Sequence, residues 1–131
     1  MTKERLFKKE YAKELLLIAK DDLEGAKVLA AANLKRQELA LFHIQQAIEK
    51  ALKAFLCWLE KPVPLVHSLS IILDRIPKNY QVPSADSLED LTQFATIRRY
   101  EEGIALFTEE EIKEALQLGC EITNWVENQL K

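Results

Sequence analysis

Apolar side chains recur along most of this chain at three- and four-residue steps, the spacing that gives a helix one buried face. The clearest stretch runs from Phe42 to Trp58. It has no Gly, no Pro and few β-branched residues, so it predicts a long helix from Glu38 to Leu59. Ile44, Ala47, Ile48, Ala51, Phe55, Trp58 and Leu59 share a broad apolar arc, the expected core side. His43, Gln46, Lys50, Lys53 and Cys57 fall together on another arc, with Gln45 and Glu49 flanking it. Lining up an imidazole, an amide and two ammonium groups over three turns marks that row as a candidate site.

The pattern around it is helical too. Tyr11, Leu15, Ile18, Ala19, Asp22, Ala26 and Leu29 predict a helix from Lys3 to Ala32. Gly25 weakens its middle by about 1 kcal/mol relative to Ala and offers a place where another helix can come close. Asp21, Asp22 and Glu24 read as a solvated face, except that Asp22 lies on the apolar side and is expected to face a polar partner across the helix pair. Asn33 reads as a C-terminal cap and Leu34 to Gln37 as a short link, which makes the two helices antiparallel neighbours.

Pro62 and Pro64 stop the second helix. Ser68 reads as an N-cap for a short helix carrying Leu69, Ile72, Leu73 and Ile76, with His67 just before it and able to point back toward the Gln46, Lys50 and Lys53 row. Pro77 to Ser84 is an irregular loop. A fourth helix is expected from near Ser87 to Tyr100, with Leu88, Leu91, Phe94 or Ala95, and Arg98 on one side, ended by Gly103. Thr108 and Glu111 fit a capping box that opens a last helix, whose stripe is Ile112, Ala115, Leu116, Gly119, Ile122, Val126 and Leu130. No strand pattern stands out. The expected fold is all-α, an up-and-down bundle of four to five helices.

Composition narrows the function. The 131 residues suit one domain, 1–131, and a hydrophobic fraction of 48% supplies a core. A net charge of −3 disfavours a general nucleic-acid binder but leaves room for a local basic patch. Cys57 and Cys120 sit far apart without a CxxC, and two Cys with two His give no metal-ligand spacing, so both read as reduced thiols and no metal is expected. No signal-like run occurs, and no stretch approaches the roughly 20 apolar residues that span a bilayer. The expectation is a cytoplasmic protein with no membrane association and no cofactor. There is no Gly-rich phosphate loop and no nucleophile triad.

Four segments in order carry a resemblance: Ala19-Lys-Asp-Asp-Leu-Glu-Gly-Ala-Lys-Val-Leu29, Phe42-His-Ile-Gln-Gln-Ala-Ile-Glu-Lys-Ala-Leu-Lys-Ala54, His67-Ser-Leu69 and Thr96-Ile-Arg-Arg-Tyr100. Together they resemble the HEPN domain family over nearly the whole chain. The resemblance implies a four- to five-helix bundle, usually a homodimer, often paired with a minimal nucleotidyltransferase in a toxin–antitoxin arrangement. Some members are metal-independent endoribonucleases with a late arginine followed, after four to six residues, by a histidine. Arg98 and Arg99 stand near that place, but no histidine follows His67. Arg36 and His43 have that spacing at the wrong position, the start of the second helix.

The candidate ligand site is therefore His43, Gln46, Glu49, Lys50, Lys53, His67, Arg98, Arg99 and Tyr100. Lys and Arg would hold phosphate, the amide would read a base or ribose, and Tyr100 would stack. The competing reading is an interhelical polar network in which Lys50 pairs with Glu49 or Asp22, Arg98 caps a helix end and His43 is an interior histidine. Glu49 is expected to orient a Lys or Arg. Three functions follow: a non-catalytic nucleotide-binding or interaction module, a ribonuclease using Arg98 or Arg99, and a purely structural dimer whose face lies around Trp58 and Trp125.

Overall fold

A computed structural model describes residues 2–32, 37–91 and 107–131. The expectations for Asn33, Leu34, Arg36, Arg98, Arg99, Tyr100 and Gly103 lie outside the described residues. Within them the chain forms β1 (Glu4–Arg5), α1 (Tyr11–Ala31), α2 (Glu38–Trp58), β2 (Val63–Pro64), α3 (Leu69–Arg75), α4 at residues 85–91, and α5 (Glu109–Gln129). The all-α helical bundle expected from the sequence is the fold observed.

The bundle is built around α2. From Ala47 to Cys57 every residue of this helix except Lys50 and Lys53 is buried. Two faces are therefore too simple a description of it. Leu52 and Leu56 lie in the core although they fall outside the expected apolar arc, while Trp58 and Leu59 are half-buried. Cys57, placed by sequence on the polar row, is in the core, where its thiol donates to the Lys8 carbonyl at 3.1 Å. Each large apolar side chain buried this way contributes about 1.5–3 kcal/mol before entropy is counted.

The N-terminal segment departs from the helical expectation. α1 begins at Tyr11, not Lys3. Residues Glu4 and Arg5 instead pair antiparallel with Pro64 and Val63, and Leu65 N–H donates to the Lys3 carbonyl at 2.8 Å. An ion pair between Arg75 and Glu4 adds to the tie. A two-residue strand ending in a buried proline shows no alternation, which is why no strand is visible in the sequence.

Contacts along the helices fix their directions. Lys9 sits over the Trp58 ring at 4.4 Å, and Asp22 meets Lys50, so α1 and α2 run antiparallel. On α5, Gly119 lies against Leu23 and Ile44, Glu127 pairs with Lys20, and Trp125 packs edge-on to Phe55 at 5.0 Å. α5 is thus antiparallel to α1 and parallel to α2.

Helix ends follow local chemistry. At the end of α2, Glu60 N–H donates to the Cys57 carbonyl and Lys61 N–H to the Leu56 carbonyl, both at 3.0 Å, with Glu60 at φ 58°. This is a Schellman stop, made before Pro62 is reached, with Glu in a place usually held by Gly. The Thr108–Glu111 capping box forms in both directions at 2.8 and 3.1 Å, as its sequence predicts. The Ser68 hydroxyl accepts from Ile71 N–H at 3.4 Å and opens α3. Helix α4 begins two residues earlier than its sequence suggests.

The close approach expected at Gly25 is found at Gly119 instead. A Cβ on Gly25 would meet no atom of another described element within 4 Å, so among the described residues no helix is held close there. On Gly119 it would fall 2.9 Å from Leu23 Cδ1 and 3.5 Å from Ile44 Cγ2, so the missing side chain here makes room for α1 and α2.

Candidate functional site

Two parts of the fold converge at one end of the polar row. α2 carries Glu49, Lys50 and Lys53 within little more than one turn. β2 and the Ser68 cap then bring His67 back against them, as its position before α3 predicts.

Glu49 is the center of the group. Its carboxylate is only 2% exposed, and His67 Nδ1 approaches its two oxygens at 3.2 and 3.3 Å. The His67 side chain is 82% exposed. Burial pushes the Glu49 carboxyl above its ordinary value. The hydrogen bond from His67 and the charges of His67, Lys53 and Lys50 oppose that push. Glu49 therefore orients a histidine, where the sequence suggests a Lys or Arg.

The two lysines differ. Lys50 Nζ lies 2.6 Å from Asp22 Oδ2, a partly buried ion pair that ties α2 to α1. Asp22 thus finds the polar partner expected of it, and Lys50 makes one of the two pairings weighed for it. Lys53 is partly buried and forms no ion pair with a described residue. Burial pulls its ammonium below the usual lysine range; Glu49 opposes this and the like charge of Lys50 adds to it. The result is a partly desolvated cation near the carboxylate that holds His67.

Gln46 and His43 continue the row toward the start of α2, both half-buried. The His43 ring meets Phe42 edge-on at 5.5 Å. From His43 to Lys53 the row covers about 15 Å of helix. Glu49, Lys50, Lys53 and His67 are thus brought together, His43 and Gln46 extend their face, and Arg98, Arg99 and Tyr100 lie outside the described residues. Asp22 is the participant that sequence reasoning leaves off the site; its place on the apolar side of α1 is the available signal.

A separate groove of about 400 Å³ runs between α4 and α5, lined by Ser84, Ser87, Leu91, Ala115 and Leu118 with Glu111, Glu114 and Glu121. Those carboxylates give it the wrong sign for a phosphate. Trp58 and Trp125, expected at a dimer face, are half-buried, one beneath Lys9 and the other against Phe55. The large apolar residues most open to solvent include Leu6, Leu17, Val28 and Leu65. No described helix is long and apolar enough to cross a membrane.

A helical bundle built around α2 is the class of fold. Residues 12–129 match the HEPN domain family profile, and the chain belongs to that family. Two solved structures share the fold. TT1696 from Thermus thermophilus is 26% identical with a TM-score of 0.74. ST0689, described as an archaeal HEPN homologue, is 30% identical with a TM-score of 0.67. Each comparison covers 92% of this chain and 98% of the other. Comparison with curated proteins found no match.

Proposed function

We propose that this chain is a non-catalytic HEPN module. It binds a phosphate-bearing nucleotide on the His43, Gln46, Lys50, Lys53 and His67 face and works as a homodimer with a minimal nucleotidyltransferase of toxin–antitoxin type. The observation that carries the reading is Lys53, a desolvated ammonium without an ion-pair partner among the described residues, set beside the Glu49–His67 pair. A phosphate there would gain charge-assisted hydrogen bonds from a cation already stripped of part of its water. Glu49 holds the imidazole in place, and Gln46 is available to a base or ribose further along the row.

The non-catalytic part rests on sequence. The family's ribonuclease pattern needs a histidine after Arg98 or Arg99, and none follows His67. Open apolar side chains on one side of α1, Leu17, Ile18 and Val28, offer area for pairing with a second copy. Both cysteines are free thiols, the state a reducing cytoplasm maintains.

The test is thermal denaturation with ATP, GTP and AMP at millimolar concentration, alongside co-purification with a neighbouring nucleotidyltransferase. Stabilisation by a nucleotide, lost in Lys53→Gln, is the expected result. An unchanged melting temperature with no partner recovered contradicts it. RNA cleavage by the purified protein, abolished in Arg98→Ala or His43→Ala, would replace it with the ribonuclease reading.

A further inference from the structure

The Glu49–His67 pair combines two features that are seldom joined. The carboxylate is in the core, 2% exposed, yet the ring it holds is 82% in solvent. A buried carboxylate needs a partner, but that need would be met as well by a group that is itself enclosed. Here the partner is held at one nitrogen only. With Nδ1 directed to Glu49, an ionised carboxylate selects the neutral tautomer that carries its proton on Nδ1 and its lone pair on Nε2. Among the described residues Nε2 has no hydrogen-bond partner, and the ring's exposure leaves it open to a reactant. The same carboxylate is also in electrostatic contact with Lys50 and Lys53.

We propose that His67 Nε2 is a phosphoryl acceptor, with Glu49 as its positioning residue and a phosphoramidate or acyl phosphate as the donor class. The Nε2 lone pair attacks phosphorus. The bond from phosphorus to the donor's nitrogen or oxygen breaks, and the leaving group keeps that electron pair. The ring becomes positively charged as the N–P bond forms. The proton stays on Nδ1, and the Glu49 carboxylate stabilises the charge, as the carboxylate does for the imidazolium in a Ser-His-Asp triad. Lys53 offsets charge on the phosphoryl oxygens, the part of this inference that rests on the phosphate-binding reading above. Lys50, already paired with Asp22, contributes less.

Potassium phosphoramidate is the probe, since it needs no partner enzyme. The protein is treated with it, and the gain of a phosphoryl group is followed by mass spectrometry, with its position mapped by fragmentation and ³¹P NMR. The expected result is Nε2-phosphohistidine at His67, formed at least about tenfold faster than on N-acetylhistidinamide, a modest effect for an oriented ionisable pair. His43 serves as an internal control and remains at or below the rate of the free compound. Glu49→Gln keeps a hydrogen-bond acceptor and removes the charge, so the rate falls to that of the free compound while the fold is retained. In the untreated wild type, ¹⁵N imidazole shifts of His67 report the Nδ1–H form, a signature that needs no variant. A His67 rate equal to that of the free compound, a rate unchanged in Glu49→Gln, or an Nε2–H tautomer overturns the proposal. AMP stabilisation measured in parallel separates the two readings: its retention alongside a failed phosphorylation leaves nucleotide binding standing and removes this inference alone.

Discussion

Asp22 on α1 and Lys50 on α2 meet at 2.6 Å, and their pairing takes one of the two site lysines partly out of circulation. Phosphate at this face must compete with the contact pair to Asp22 for Lys50, whereas Lys53 feels Glu49 without forming a contact ion pair to any described residue. Asp22→Asn removes the competing charge. AMP is expected to bind several-fold more tightly to this variant, and the fold to lose about 0.5–1 kcal/mol because the pair is only partly buried. Calorimetric titration and urea denaturation measure the two effects, which should carry opposite signs.

The glycines make a paired prediction. Gly25→Ala meets no other described element within 4 Å and removes backbone entropy from the unfolded chain, so it should stabilise by about 0.5–1 kcal/mol. Gly119→Ala has the same propensity gain but drives a methyl to 2.9 Å from Leu23 Cδ1, so gain and strain should largely cancel. Gly119→Val adds γ-carbons against Leu23 and Ile44 and should cost about 1–3 kcal/mol. Chemical denaturation of the three variants checks the order.

What the sequence could and could not disclose follows from the kind of signal each feature leaves. The Thr108 capping box and the Ser68 cap depend on residues three apart and are readable directly. Asp22 is readable because a carboxylate on the buried side of a helix needs a partner. The enclosure of α2 is less visible: a helix covered nearly all round has no single apolar arc, so spacing puts Leu52, Leu56 and Cys57 on the wrong side or on none. The β1–β2 tie leaves no pattern in two residues per strand. The roles of Gly25 and Gly119 depend on which helix lies opposite, and spacing within one helix does not encode that. Glu49 and His67 are separated by 18 positions; the sequence suggests that His67 turns back to α2, but not which side chain receives it.

Glu49 makes stability depend on pH in a definite direction. Its folded pKa is raised above the ordinary value of 4.5, chiefly by burial. The native state therefore holds its proton more tightly than the unfolded state does, and in the window above 4.5 up to the raised value this group's contribution to stability falls as pH increases. Glu49→Gln removes that titration. Relative to wild type, the variant should gain stability as pH rises through this window and show no further relative change from this group below it. Parallel urea melts of both proteins across the acid range measure the difference. A flat difference would mean that His67 and the lysines fully compensate the burial of the carboxylate.

Amide chemical shifts recorded during an AMP titration test most directly whether the polar face of α2 is a phosphate site. The expected result is a saturable set of changes at His43, Gln46, Glu49, Lys50, Lys53 and His67, abolished in Lys53→Gln. No saturable change at millimolar AMP, or changes confined to the carboxylate-lined groove between α4 and α5, would contradict it.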